Sequence, residues 1–331
     1  MSLDAPWIAA QTRALLAQRG HAWLLQGPSG LGQYSLALSM ARAWLCDRPG
    51  PDGACMQCDS CHAVDVRTHA DLCVLMPETV MLELGWPLSE KAQDAIDKKE
   101  RKPSKEIRVE AMRDAIQFSQ RTSARGRGKA VLVYPAERMN HVTANALLKT
   151  LEEPPGDVRF VLASEAAHLL LPTIRSRCLG HTMAWPEPSQ SVDWLQSLGL
   201  PAGDAPVLLR AAGGRPQDAL QLAQSGRDGT QWGLLPRGIA RGDGSVLADW
   251  TPAQAVDALQ KLCHDLLAVR AGAQPRFFSA TDLPAGGSLP ALNAWAKALS
   301  RTARTVEHPF NAGLMLEALV SQARTALNSR P

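Results

Sequence analysis

The sequence predicts an α/β domain built on a parallel β-sheet, followed by a wholly helical C-terminal part. Three observations predict it. Short apolar runs alternate with stretches of helical spacing through the first half; a Gly/Pro loop, Gly27-Pro28-Ser29-Gly30, joins the first such run to a helix; and strand character ceases after Pro186 and Pro188. Strands that alternate with helices form parallel sheets, because each crossover lays a helix over the sheet.

Each element follows in order. The run 22–26, AWLLQ, has the pattern of a buried strand, and Leu36, Met40 and Trp44 after it share one helical face. Further strands are expected at 72–76, 130–134, 159–163 and 178–184. Between 78 and 106 the pattern gives way to charge and to Pro87 and Pro103. That segment reads as a surface insertion with one short helix near 90–99. Past Pro188 a small helical unit runs to Gly226, with Ala211-Ala212-Gly213-Gly214 parting two of its helices. A larger unit then carries helices at 253–270, 289–301 and 311–327. The expected domains are 1–185, 186–226 and 227–331.

A chain of 331 residues, 45% of them apolar, has ample material for more than one core. Its 35 basic and 32 acidic residues leave a net charge of +3, too balanced to argue a nucleic-acid footprint from charge alone. Two basic stretches stand out. The first, 98–108, is interleaved with Glu100 and Glu106 and reads as a solvated helix or loop. The second, RTSARGRGK at 121–129, reads as a loop before a strand, with phosphate contact the less favoured role. No apolar run approaches the ~20 residues of a membrane span, and Arg13 and Arg19 among short apolar pieces do not fit a secretory signal. A cytoplasmic protein with reduced cysteines is expected.

Gly27 to Ser35, GPSGLGQYS, follows a strand and opens a helix, the context in which a phosphate loop is credible. The working motif, G-x-x-x-x-G-K-[ST], supplies a Lys for the β/γ oxygens and a hydroxyl for Mg²⁺. Gly27 and Gly32 keep its spacing, but Gln33 and Tyr34 take the last two places. An amide replaces the cation, and a rigid phenol the short hydroxyl. Ser35 comes one residue late, on a face turned by ~100°. The strand 130–133 should end in Asp-Glu, yet it continues Tyr134-Pro135-Ala136-Glu137, with the one acid too late. Hydrolysis is expected to be lost. Backbone N–H groups alone suffice for weak phosphate binding, so ATP binding without hydrolysis stays open, as does a simple turn.

Cys46, Cys55, Cys58 and Cys61 have the spacing C-x8-C-x2-C-x2-C. Four thiolates in a reducing compartment suit tetrahedral Zn²⁺, with an iron–sulfur cluster as the lesser alternative and His62 as a substitute ligand or bystander. Four protein ligands leave no position open for water, so the metal would be structural. Cys73, Cys178 and Cys263 read as small buried hydrophobes.

At 145–155 the chain reads NALLKTLEEPP, at 160–163 FVLA, and at 173–178 TIRSRC. Ala144, Leu147, Leu148 and Leu151 make one helical face, and Pro154-Pro155 stops the helix. This combination resembles the bacterial clamp-loader family of DNA polymerase III, the gamma/tau and delta-prime subunits. The resemblance is strong to Cys178 and architectural afterwards. It implies an AAA+ parallel-sheet domain, a small helical lid domain and an all-α collar domain. The same cysteine spacing occurs in that family as a structural zinc module, here 46–61. The lost groups at Gln33 and Tyr34 side with the delta-prime type. The Arg of Ser-Arg-Cys, here Arg177, then implies an arginine finger offered to a neighbour's ATP; by itself it would be a surface arginine. Ser164 and Arg215 match the first and second sensor positions as remnants. The implied partners are gamma/tau and delta subunits, with the sliding clamp and primed DNA met through the complex. Two other readings compete. One is a gamma/tau-like ATPase with a degenerate site, which nucleotide binding would separate. The other is a zinc-dependent nucleic-acid module, against which Asp47, Asp52 and Asp59 stand.

Overall fold

The computed structural model describes residues 5–306, 308 and 311–329. Five strands, β1 (Ala22–Gln26), β2 (Leu72–Leu75), β3 (Lys129–Val133), β4 (Val158–Ser164) and β5 (Leu179–Thr182), form one parallel sheet in the order β2-β3-β4-β1-β5. Leu24 of β1 lies opposite Leu162 on one side and Gly180 on the other. β3 is buried at every position and β4 at all but Arg159, as strands covered on both faces must be. β5 is a short, largely exposed edge.

On one face of the sheet Leu24, Val131, Val133, Phe160 and Leu162 pack with Met112 and Ala115 of helix Val109–Gln120 and with Leu147 and Leu151 of helix His141–Glu152. On the other, the Trp23 ring meets Trp44 of helix Gln33–Leu45 with centroids 5.0 Å apart. The motif helix starts where Asn140 Oδ1 accepts the Thr143 N–H at 3.0 Å, relieving one of the unbonded first-turn donors. Leu148 is only partly buried, so it flanks the apolar face and is not at its centre.

The chain divides into two compact units, Met1–Pro186 and Glu187–Pro331. The break falls at the prolines that ended the strand pattern. Within the second unit, one apolar cluster gathers Leu195, Leu208 and Ala219, and another gathers Trp232, Leu259, Leu262, Trp295 and Leu299. Its long helix Pro252–Arg270 opens with a capping box in which Thr251 and Gln254 exchange backbone bonds. Helix Gly229–Arg241 accommodates Pro236 in its interior.

Within the segment 78–106 only Glu78 and Trp86 are buried. Helix Glu90–Asp97 lies where a short helix was expected, but a second helix, Glu78–Glu83, precedes it. Glu78 is buried and accepts from Arg101 Nη2 at 2.7 Å and from the Ser104 N–H at 2.8 Å. Trp86 is also buried. Glu78 is the exception among the charges of this segment, most of which are exposed. Cys73 and Cys178 are only half-buried, whereas Cys263 is buried.

Candidate functional site

Gly27 and Gly32 bracket the loop at the C-terminal ends of β1 and β4. The Gly27 N–H donates to the Ser164 carbonyl at 3.3 Å. Any Cβ at Gly27 would fall 2.9 Å from Met183 Cβ, so the residue must be glycine for the loop to lie this close to the chain leaving β5. Gly32 caps helix Gln33–Leu45 at φ 97°, a left-handed conformation that glycine adopts without strain. Trp7 Nε1 donates to the Leu31 carbonyl at 3.1 Å and ties the loop to helix Pro6–Leu16.

Gln33 and Tyr34, at the last two motif positions, turn to protein partners. Gln33 is 2% exposed, and its Nε2 donates to the carbonyls of Gly27 and Pro28, each at 2.7 Å. The amide thus satisfies the loop's own acceptors and brings no cation to it. The Tyr34 ring meets the Tyr134 ring at a tilt of 31°, centroids 5.4 Å apart, and its hydroxyl accepts from Trp86 Nε1 at 2.7 Å. Burial pushes the Tyr34 phenol above its ordinary value. Tyr134 is raised by burial and by Glu165, to whose Oε1 its hydroxyl donates at 2.8 Å. Both phenols are therefore neutral, and their hydroxyls are engaged by Trp86 and Glu165.

Ser164 and Glu137 are brought together. Ser164 Oγ donates to Glu137 Oε2 at 2.8 Å, and the Glu165 N–H donates to Glu137 Oε1 at 3.1 Å. The late acid does reach the strand ends, but protein donors hold both its oxygens. Trp86 is the residue that sequence reasoning missed; a lone tryptophan in a charged, proline-bearing segment was the only signal.

Arg177 makes its contacts elsewhere. Its Nη1 donates to the Thr173 carbonyl at 3.0 Å and its Nη2 to Glu152 Oε1 at 3.0 Å, with the side chain 29% exposed. Glu152 is the last residue of the NALLKTLEEPP helix, so the two resembling motifs touch. An ion pair this exposed is worth about 0–1 kcal/mol and is readily exchanged. Arg215, in the second unit, pairs with Asp218 at 2.6 Å.

The four cysteine Sγ atoms lie within 4.8 Å of one another, with Cys46, Cys58 and Cys61 buried. Cys46 Sγ and Cys58 Sγ are 3.8 Å apart, the edge expected of a tetrahedron with bonds of ~2.3 Å. Backbone N–H groups of Cys55 and Cys61 donate to the sulfurs of Cys46 and Cys58 at 3.3 and 3.4 Å, as they do around thiolates. Burial pushes the Cys46 and Cys61 thiols up, while the Gln57 N–H brings Cys55 down to about 6. His62 is exposed and outside the group. The residues fit Zn²⁺.

Among the described residues no helix is long and apolar enough to cross a membrane. The family described as DNA polymerase III, delta subunit, matches residues 10–185. The DNA polymerase III subunit delta' of Pseudomonas aeruginosa is 38% identical over 225 residues, 67% of this chain and 62% of that protein. Its Escherichia coli K12 counterpart is 33% identical over 225 residues, 66% of this chain and 60% of that protein. The matches thus span about three-fifths of those relatives. A solved gamma subunit-related protein of DNA polymerase III from Thermotoga maritima shares the fold, at a TM-score of 0.50 and 16% identity, over 97% of this chain and 100% of that one. A parallel sheet with this phosphate-loop position, a helical C-terminal unit and these relatives are those of an AAA+ protein: the chain belongs to the DNA polymerase III delta-prime family, relatives of the gamma/tau clamp-loader subunits.

Proposed function

We propose that the chain is a non-catalytic, delta-prime-type clamp-loader subunit that helps load the sliding clamp onto primed DNA in the cytoplasm. The observation that carries this reading is the filled phosphate loop. Gln33 is spent on the loop's own carbonyls, and Tyr34, Tyr134 and Trp86 occupy the region where triphosphate and Mg²⁺ need a cation, a short hydroxyl and two free acids. Such a loop does not hydrolyse ATP. Gly27 and Gly32 persist in it as backbone elements, and Ser164 and Arg215 serve as internal contacts.

Arg177 then acts in trans. Its guanidinium leaves Glu152 for the transferring phosphoryl group of an adjacent gamma/tau ATPase, a contribution typically worth ~10³–10⁵ in rate. Cys46, Cys55, Cys58 and Cys61 hold structural Zn²⁺, whose supply is a rigid fourfold crosslink of the 46–61 segment. Beyond the sheet domain, 186–226 serves as the lid and 227–331 joins the collar with gamma/tau and delta subunits. The test is a complex reconstituted with those subunits. Arg177→Ala should leave assembly intact and lower ATP turnover at the adjoining site by at least ~10³-fold; unchanged turnover would remove the finger from this account.

A further inference from the structure

Asp71, just before β2, is fully buried. Its carboxylate accepts from Ser123 Oγ at 3.0 Å, from the N–H groups of Ala124 and Arg125 at 2.8 and 2.9 Å, and from Lys129 Nζ at 3.4 Å. Burial alone would raise its pKa; the bonds from Ala124 and Arg125 outweigh burial and hold it below the ordinary carboxylate value. A buried carboxylate costs several kcal/mol unless its bonding is complete, which is far more than a plain helix-to-strand connection needs. The far end of the loop is held as well. The Lys129 N–H donates to the Asp157 carbonyl at 2.8 Å, and Gly128, at φ 78°, leaves no room for a Cβ against that oxygen.

This frame presents charge to solvent. Arg121, Arg125 and Arg127 are exposed, and the sequence has no carboxylate between Asp114 and Glu137. Among the described residues Arg121 and Arg127 have no ion-pair partner, and Arg125 meets Asp47 at 3.6 Å. Nearby, Asp157 faces Arg159 at 3.6 Å.

The cysteine module supports the same loop. Ser60 lies between Cys58 and Cys61, and its Oγ is 2.9 Å from His69 Nε2. His69 Nδ1 accepts the Asp71 N–H at 3.1 Å, which puts the neutral ring's proton on Nε2, donating to Ser60. From Ser60, which the chain places between Cys58 and Cys61, hydrogen bonds run through His69 and the Asp71 N–H, and the Asp71 carboxylate then holds Ser123 Oγ and the N–H groups of Ala124 and Arg125.

We propose that the loop 121–127 is a phosphodiester-binding site for nucleic acid, with Arg121, Arg125 and Arg127 as its contacts and the cysteine module as its brace. A preordered loop loses little entropy on binding, and each guanidinium neutralises one phosphate. The site is independent of the role given to Arg177.

The test is fluorescence anisotropy of the full chain with a labelled oligodeoxynucleotide, single-stranded in one arm and duplex in the other, over a salt series. Wild-type affinity should fall linearly with the logarithm of salt. Combined Arg121→Ala, Arg125→Ala and Arg127→Ala should weaken binding by at least about tenfold and flatten the single-strand slope by about 2. The corresponding lysine triple should keep the slope, and thermal melts should match throughout. No binding by the wild type at low salt, or an unchanged slope in the alanine triple, would overturn the proposal. Removing Zn²⁺ should speed hydrogen exchange at the amides of 124 and 125; unchanged protection there would sever the cysteine module from the loop.

Discussion

The two ends of the parallel sheet treat their polar groups in opposite ways. At the C-terminal ends of the strands the bonding is closed: Gln33 faces the loop carbonyls, Trp86 faces Tyr34, Tyr134 faces Glu165, and Ser164 faces Glu137. At the N-terminal ends four sulfurs converge without a covalent partner, and exposed arginines project from a loop anchored on Asp71. The first end has the chemistry of an interior, the second that of a receptor. The closed end follows from cost: unpaired buried polar atoms cost ~1–3 kcal/mol each, and here neighbouring side chains satisfy them.

The difference is most easily broken at Asp71. Asp71→Asn strands Lys129, which is itself buried, without an anionic partner, and should cost about 3–5 kcal/mol in urea unfolding. A loss below about 1 kcal/mol would mean that the loop is held by other means. The sign of the pH dependence follows. The folded pKa of Asp71 is depressed, so its stabilisation is fully present above the unfolded carboxylate value of ~3.9. It is lost as pH falls through the folded value, and wild type and Asp71→Asn should converge in acid.

The closed end is tested more gently by Trp86→Phe, which keeps an aromatic ring but removes the donor to Tyr34. We expect a loss of about 1–3 kcal/mol, measured by the same unfolding experiment; no loss would make the Tyr34 contact incidental. The smallest expected effect is the sharpest. Gln33→Lys combined with Tyr34→Thr restores the letters of the phosphate motif, yet phosphate release should stay at background. Tyr134 and Pro135 still stand at the strand end, and Glu137 is still bonded to Ser164 and Glu165. Measurable turnover would show that the loop lacks only its cation.

Much of this organisation could be read from local pattern. Alternating apolar runs announced all five strands, because β-period and helix-period patterning are properties of consecutive residues. Closely spaced cysteines announced their own convergence for the same reason. Local pattern failed where local rules were outvoted. Helix Gly229–Arg241 contains Gly233, Gly238 and Pro236, each unfavourable in a helix interior, yet Trp232, Leu235 and Ile239 are buried along it. Burial of that stripe outweighs propensity, as it does for most helices in folded chains. In the segment 78–106 local pattern gave no sign that Glu78, among mostly exposed charges, turns inward to Arg101 and Ser104.

The sequence by itself determined the α/β-then-helical order, the absence of a phosphate-loop lysine and the presence of four clustered thiols. Only the tertiary structure decided what fills the loop, what holds Arg177 and what stiffens the basic loop. Trp86 and Tyr34 are 52 residues apart, Arg125 and Asp71 54, and Arg177 and Glu152 25. Contacts at such separations depend on strand order and crossover path, which no periodicity along the chain encodes.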